Sequence, residues 1–205
     1  MSHVAVLGIS GRVGSRIAAE LLRRGHAVTG IARNVTDVPA RPRLLVQSAD
    51  ATQPQSLAPI LRGHDAVISA MRFVGGITAP ALITAATHAG IKRVLVVGGA
   101  GSLLIAPGVA LIDSPEFPAS YKAEAAAARF FLDALRTEPE LEWTFLSPSA
   151  LLEPGERTGR FRLGGDDLLV DVQGKSHISM EDYAIALVDE LEHPRHIRRR
   201  FTVGY

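Results

Sequence analysis

Three glycines, Gly8, Gly11 and Gly14, stand at three-residue intervals directly behind the apolar run Val4–Leu7. That run is short, continuous and rich in β-branched residues, the composition of a strand buried on both faces. Behind the glycines, Val13, Ile17 and Leu21 recur at four-residue intervals with Ala18 and Leu22 alongside, so the chain passes from strand to helix. Such a junction leaves unpaired N–H groups and the positive end of the helix dipole pointing outwards, and together these can hold a pyrophosphate. Gly8 turns the chain off the strand, Gly11 lets backbone approach phosphate, and Gly14 lets helix and strand pack closely. Ser10, Arg12 and Val13 complete the candidate phosphate-binding set. The spacing is Gly-x-x-Gly-x-x-Gly and not Gly-x-Gly-x-x-Gly; its weight comes from its place between a first strand and an amphipathic helix.

A second position bears on which dinucleotide would bind. A carboxylate at the end of the second strand accepts from the ribose 2′-OH of NAD, whereas an arginine suits the 2′-phosphate of NADP. Here that strand ends Ile31-Ala32-Arg33-Asn34, with no carboxylate before Asp37. Arg33 can pair bidentately with phosphate and stack on adenine, and Arg12 adds a second charge. NADP(H) is therefore expected over NAD(H).

These residues need a scaffold, and the remaining pattern supplies one. Strands are expected over His26–Arg33, Arg43–Gln47, Asp65–Ala70, Arg93–Val97 and Trp143–Leu146, with helices over Gln53–Arg62, Thr78–Ala89 and Tyr121–Leu135. Gly98–Ser120 is long, irregular and rich in glycine and proline, as functional loops are. Arg157–Val172 is expected to form a hairpin turning at Gly164-Gly165-Asp166. Ser179-Met180-Glu181-Asp182 has the form of a capping box and opens a helix whose core face carries Tyr183, Ile185, Leu187, Val188 and Leu191. Phe201–Val203 ends the chain as a strand. Alternating strand and helix imply an α/β fold, a doubly wound parallel sheet with helices on both faces, and one domain over residues 1–205.

Composition narrows the class. With 205 residues, 47% hydrophobic content and a net charge of +1, the chain can bury a core and has no bias towards nucleic acid or acidic membranes. It has no cysteine, which removes disulfides and thiolate chemistry and fits a reducing, cytoplasmic address. No run approaches the ~20 apolar residues of a membrane span. His26, His64, His193 and His196 read as surface and turn residues and not as metal ligands, and His196–Arg200 as a solvated basic run. Glu156 and Arg157 are expected to form an ion pair or to cap a loop.

Taken together, Gly8–Gly14, Val97-Gly98-Gly99-Ala100-Gly101-Ser102, Ser147–Ala150, Pro154-Gly155-Glu156-Arg157-Thr158-Gly159 and the tail from Ile178 to Tyr205 resemble an atypical short-chain dehydrogenase/reductase. The resemblance is narrower to the NADH-flavin reductase group, related to the biliverdin-IXβ/flavin reductases and to NmrA-like proteins. It implies a Rossmann-type sheet with a small C-terminal substrate region at residues 148–180, and NAD(P)H as cofactor. It also implies that Asp50 accepts from the adenine amino group with Ala51 beside it. Ser69, Ala70 and Met71 would lie along ribose and phosphates, Gly98 and Gly99 near the nicotinamide ribose, and Pro148 and Ser149 at the same cleft.

The usual catalytic pair of the wider family is Tyr-x-x-x-Lys, whose spacing sets both side chains on one helix face. This chain has Tyr121-Lys122, adjacent and so about 100° apart around a helix, with Ala125 where the lysine would stand. Carbonyl reduction is thereby disfavoured. Flavin reduction is not, because the flavin ring accepts hydride directly and no alkoxide needs a proton. The candidate catalytic set is Ser102, which can hydrogen-bond flavin or nicotinamide, Tyr121, and Lys122, which can also bind ribose or phosphate. The expected partner is a planar acceptor, flavin or quinone, taken as substrate by a monomer or homodimer. The alternatives are an NmrA-like NADP(H) sensor without turnover and, weakened by the missing base, an epimerase or dehydratase.

Overall fold

The computed structural model describes residues Met1–Tyr205. In chain order its elements are β1 (His3–Leu7), α1 (Arg12–Arg23), β2 (Ala27–Ala32), β3 (Leu44–Ser48), α2 (Pro54–Leu61), β4 (Ala66–Ser69), α3 (Ala79–Ala89) and β5 (Arg93–Val97). There follow β6 (Leu104–Ala106), β7 (Val109–Ala110), α4 (Ala119–Arg136), β8 (Glu142–Ser147), β9 (Leu151–Glu153), β10 (Arg162–Gly164), β11 (His177–Ser179), α5 (Met180–Glu192) and β12 (Arg199–Gly204). Seven strands run parallel in the order β3-β2-β1-β4-β5-β8-β12, and β10 closes one edge antiparallel to β12. The order reverses between β1 and β4, so the crevice of this Rossmann-type fold lies at the carboxyl end of β1.

β1 shows why the sheet is central. Its side chains alternate, Val4 and Val6 to one face and Ala5 and Leu7 to the other, and all four are fully buried. On the first face they meet Ile17 and Leu21 of α1 and Tyr183 and Leu187 of α5. On the second lie Leu57 of α2, Leu82 of α3 and Phe131 and Leu132 of α4.

Helix α5 is buried almost all round, which a helix against one face of a sheet would not be. Besides the sheet and α1, its first turn is covered by a strap, residues 154–160. Gly155 N–H donates to Glu181 (2.8 Å), and the N–H groups of Thr158 and Gly159 donate to Asp182 (2.8 Å each). Arg157 donates two bonds of 3.0 Å to Glu20 on α1. Glu156 is thus not the partner of Arg157; its carbonyl accepts from the Ser179 hydroxyl. Ser179 does cap α5, accepting from Asp182 N–H at 3.0 Å. The reciprocal half of the box is missing because the Asp182 carboxylate holds the strap and the Tyr205 phenol instead.

Other local expectations give way to tertiary pairing. Arg157–Val172 forms no backbone ladder with itself, although it reverses far enough for the Arg162 guanidinium to bond the Val170 carbonyl. β10 joins β12 instead, and the segment after it bonds to β6: Leu104 N–H donates to Asp166 and Leu168 N–H to Leu104. β6 and β7 form a small hairpin inside the stretch that reads as irregular. His26 is 4% exposed and bridges Ser2 N–H to Glu192, while His64 is half-buried, bonds Thr29 and packs against the His3 ring. Burial holds the His64 imidazole below its usual range. The basic run is not uniformly solvated either: Arg200 is buried, and His196 stacks on Phe201.

Candidate functional site

The junction between β1 and α1 is a close-packed backbone turn that leaves amides at the helix mouth without acceptors. Gly8 adopts φ +84°, and a Cβ there would lie 2.8 Å from the Ala70 carbonyl oxygen. At Gly14 a Cβ would come within 2.2 Å of the Gly8 oxygen, so only glycine lets the helix close on the loop. Gly11 is different: its φ of −78° suits any residue, and it stands as the N-cap without a side chain to cover the amides behind it. The N–H groups of Arg12, Val13 and Gly14 accordingly have no acceptor in the chain, and no acidic residue lies in the first turn. Arg12 is exposed and makes no ion pair; Arg16 is tied to Glu181 and to the Arg12 carbonyl.

The other candidate contacts line the same carboxyl edge of the sheet. Arg33 lies one residue past β2, exposed and without an ion pair, its carbonyl held by the Ser48 hydroxyl at 2.9 Å. Asp50, past β3, accepts from the Thr52 hydroxyl (2.7 Å) and N–H (3.0 Å); these bonds, with the nearby Arg33 charge, hold its carboxyl below the usual range. Ala51 is buried beneath it. Ser69 ends β4 only 3% exposed, yet its hydroxyl makes no hydrogen bond within the chain. Ala70 abuts both Gly8 and Gly14, and Met71 follows half-buried. The structure thus brings Gly8, Ser10–Gly14 and Ser69–Met71 around one crevice, with Arg33, Asp50 and Ala51 along its β2–β3 side.

Past β5 the glycines serve packing. A Cβ on Gly98 would sit 2.3 Å from the Phe145 ring, one on Gly99 3.1 Å from the Ala128 methyl, and one on Gly101 2.7 Å from the Ala125 methyl. Gly98 N–H and the Tyr183 hydroxyl both donate to the Leu146 carbonyl, at 2.8 and 2.7 Å, pinning the ends of β5 and β8 together. Full burial pushes the Tyr183 phenol up, so it stays a neutral donor. Pro148 is buried, and the Ser149 hydroxyl, 1% exposed, donates to the Val203 carbonyl at 2.9 Å. The Ser149 side chain is therefore committed to the sheet edge and does not open to the cleft.

Tyr121 (65% exposed) and Lys122 lie in the first turn of α4 with no hydrogen bond or ion pair from either side chain. Ala125 is buried against Gly101, so the position four residues beyond Tyr121 has no room for a lysine. Ser102 is half-buried, and its hydroxyl accepts a long hydrogen bond from Arg200 Nη1 at 3.5 Å. No hydrogen bond joins Ser102, Tyr121 and Lys122, and the site contains no nucleophile–base pair. No group of three or more His, Cys, Asp or Glu side chains is arranged to hold a metal. No helix is long and apolar enough to cross a membrane.

Pattern reading missed the acids that position these parts. Glu124 accepts from Phe73 N–H (2.7 Å) and Val74 N–H (3.0 Å), tying the loop after β4 to α4. Glu20 and Asp182 hold the strap. Glu20 carried a visible signal: it stands three residues after Ile17, a carboxylate on the apolar face of α1, where burial demands cationic partners.

Residues 8–194 match the model of a family described as NAD(P)H-binding. Among solved structures, the chain is similar to a candidate exported protein from Burkholderia pseudomallei, with 49% identity, TM-score 0.91 and all of both chains covered. It is 44% identical to a candidate epimerase from Bacteroides thetaiotaomicron, with TM-score 0.93, covering 100% of this chain and 97% of that one. A candidate NADH-flavin reductase from Streptococcus pneumoniae is 35% identical, with TM-score 0.87, covering 100% of this chain and 99% of that one. The amide seat, the crevice at the strand reversal and these likenesses agree, and the chain belongs to the NAD(P)H-binding family of Rossmann-fold, oxidoreductase-type proteins.

Proposed function

We propose that this chain is an NADPH-dependent reductase that delivers hydride to a flavin, FMN or riboflavin, or to a similar planar acceptor such as a quinone. The observation that carries the reading is the seat at α1: three N–H groups without acceptors, no carboxylate in the first turn, and two glycines that admit no side chain. The unpaired Ser69 hydroxyl on the same crevice adds a polar group awaiting a ligand. In this reading the amides of Arg12, Val13 and Gly14, with Gly8, Ser10 and Gly11, hold the diphosphate. Arg12 and Arg33 take the 2′-phosphate, Asp50 and Ala51 the adenine, Ser69, Ala70 and Met71 the ribose and phosphates. Backbone at Gly98, Gly99, Pro148 and Ser149 lies toward the nicotinamide end, with Lys122 on ribose or phosphate. Ser102 and Tyr121 face the acceptor.

Bound NADPH supplies the hydride. The chain's own residues orient the two rings and exclude water; none is arranged to move a proton during transfer, which suits an acceptor needing none. The absence of a Tyr-x-x-x-Lys pair or other base speaks against epimerase chemistry, despite the name of one relative. It equally favours a second reading, an NmrA-like sensor that binds NADP(H) without turnover. A cytoplasmic monomer or homodimer acting on a small molecule, without nucleic acid or membrane, belongs to the same proposal.

Oxidation of NADPH followed at 340 nm with FMN, FAD, riboflavin and quinones separates the two. Turnover with a planar acceptor supports the reductase; tight NADPH binding without oxidation by any acceptor supports the sensor. Arg33→Ala is expected to raise the NADPH dissociation constant about 10- to 100-fold, the worth of one charge-assisted contact, and to leave NADH binding unchanged. Equal NADPH and NADH affinity in the wild type would overturn the cofactor preference.

A further inference from the structure

Arg200 is a buried cation that the site as described does not use. It is the second residue of β12, and its side chain is 3% exposed. Its Nε donates to Asp166 at 2.6 Å, and the guanidinium also pairs with the same carboxylate through Nη2. Nη1 turns the other way and lies 3.5 Å from two hydroxyls, those of Ser102 and Ser147. Ser147 ends β8 fully buried, whereas Ser102 is half-buried in the loop past β5. The surroundings are otherwise Asp167 beside Asp166, and Arg136 of α4 reaching Asp166 at 4.0 Å. The counter-charge is lopsided: Asp166 is 58% exposed and screened by water, while the cation and Ser147 are withdrawn from it. The Nη1 end of the guanidinium, turned away from Asp166, therefore faces the Ser102 and Ser147 hydroxyls from the interior side, where a charge is least screened.

We propose that Arg200 is a positioning residue acting through Ser102. Nη1 takes a lone pair of the Ser102 oxygen, leaves its O–H free to donate outwards, and favours an acceptor that becomes negatively charged. This rests on the reductase reading. Hydride adds two electrons and one proton's mass to a neutral flavin; the ring gains one negative charge at its pyrimidine side, and water supplies the balancing proton later. A guanidinium behind a hydroxyl donor holds the reduced anion more tightly than the oxidised ring.

The test is the ratio of dissociation constants for oxidised and dithionite-reduced FMN, measured anaerobically with NADP⁺ present. Arg200→Met is expected to lower the preference for reduced FMN about 10-fold, and Ser102→Ala to lower it with no further loss in the double variant. Asp166→Asn, which removes the compensating charge at an exposed position, is expected to raise it about 3-fold. Opposite signs from the two members of one ion pair are what a merely structural pair cannot produce. If Arg200→Met does not fold, Asp166→Asn together with Arg200→Lys, expected to keep the wild-type ratio, carries the same test. A fall in both Arg200→Met and Asp166→Asn, or an unchanged ratio in either, overturns the role of Arg200 while the reductase stands. Absence of FMN binding together with absence of NADPH oxidation in the wild type removes the parent reading, and this one with it.

Discussion

Gly11→Asp is expected to weaken NADPH binding at least about 100-fold and leave the fold intact. The N-cap position has φ −78° and ψ 163°, open to any residue, and aspartate is among the preferred N-caps. Its carboxylate would accept from the amides of Val13 and Gly14, the groups now without acceptors. The new Cβ lies 3.1 Å from the Gly8 oxygen, so a small shift of the loop offsets part of the capping gain. The melting temperature should stay within about 2 °C of wild type. A carboxylate about 5 Å from a diphosphate charge repels it by about 3 kcal/mol at an effective dielectric of 20, which is two decades in affinity. Calorimetry should therefore show an NADPH dissociation constant at least about 100-fold higher, with Gly11→Ala losing less than about 10-fold because it adds a methyl and no charge. Wild-type affinity in Gly11→Asp would mean that the diphosphate does not sit at α1.

Glu20→Gln carries the largest expected change in stability. The Glu20 side chain is 4% exposed and accepts from Arg23 (2.7 and 2.9 Å), Arg24 (2.7 Å) and Arg157 (3.0 Å twice). Burial alone would push its carboxyl up; the hydrogen bonds from Arg23, Arg157 and Arg24 outweigh it and hold the group well below the usual carboxylate range. Removing the charge leaves three guanidinium groups around a neutral amide. Breaking a buried pair costs about 3–5 kcal/mol, and the half-exposed Arg23 and Arg157 place this case near 3. For a chain of this size the melting temperature should fall by about 6–12 °C.

The sign with pH is fixed by the direction of that shift. A carboxyl lowered in the folded state binds its proton more readily when unfolded, so Glu20 stabilises fully above the unfolded value near pH 4.3 and loses its contribution as pH falls below it. Thermal melts at pH 7 and pH 3.5 should show the gap between wild type and Glu20→Gln shrinking in acid. Because Arg157 anchors the strap, the variant should also be cut faster by trypsin between residues 154 and 160. Equal melting temperatures at pH 7 would deny the network its role.

Much of this arrangement was legible in residue order. Alternating apolar runs of the right lengths placed β1, β2, β4, β5, β8 and most of the helices, because strand and helix periods are local properties. The glycine spacing marked the tight junction of β1 and α1, since a backbone that must pass within van der Waals range of itself excludes side chains whatever surrounds it. Arg33 at the end of β2 was equally visible, as was the want of a lysine four residues beyond Tyr121. Segment 157–172 was not legible: its strand-forming residues pair with β12 and β6, partners far off in the chain, and not with one another. Nor were the buried charges, whose partners the chain order cannot name.

What the sequence determined by itself, then, is the order of strands and helices and the glycine junction, because each depends on neighbours within a few residues. Only the tertiary structure decided that Ser149 bonds the sheet edge, that Arg157 answers Glu20 across 137 residues, and that Arg200 turns inward behind Ser102. The physical reason is that a polar or charged side chain takes its role from the dielectric and the partner at its tip, and both are set by packing.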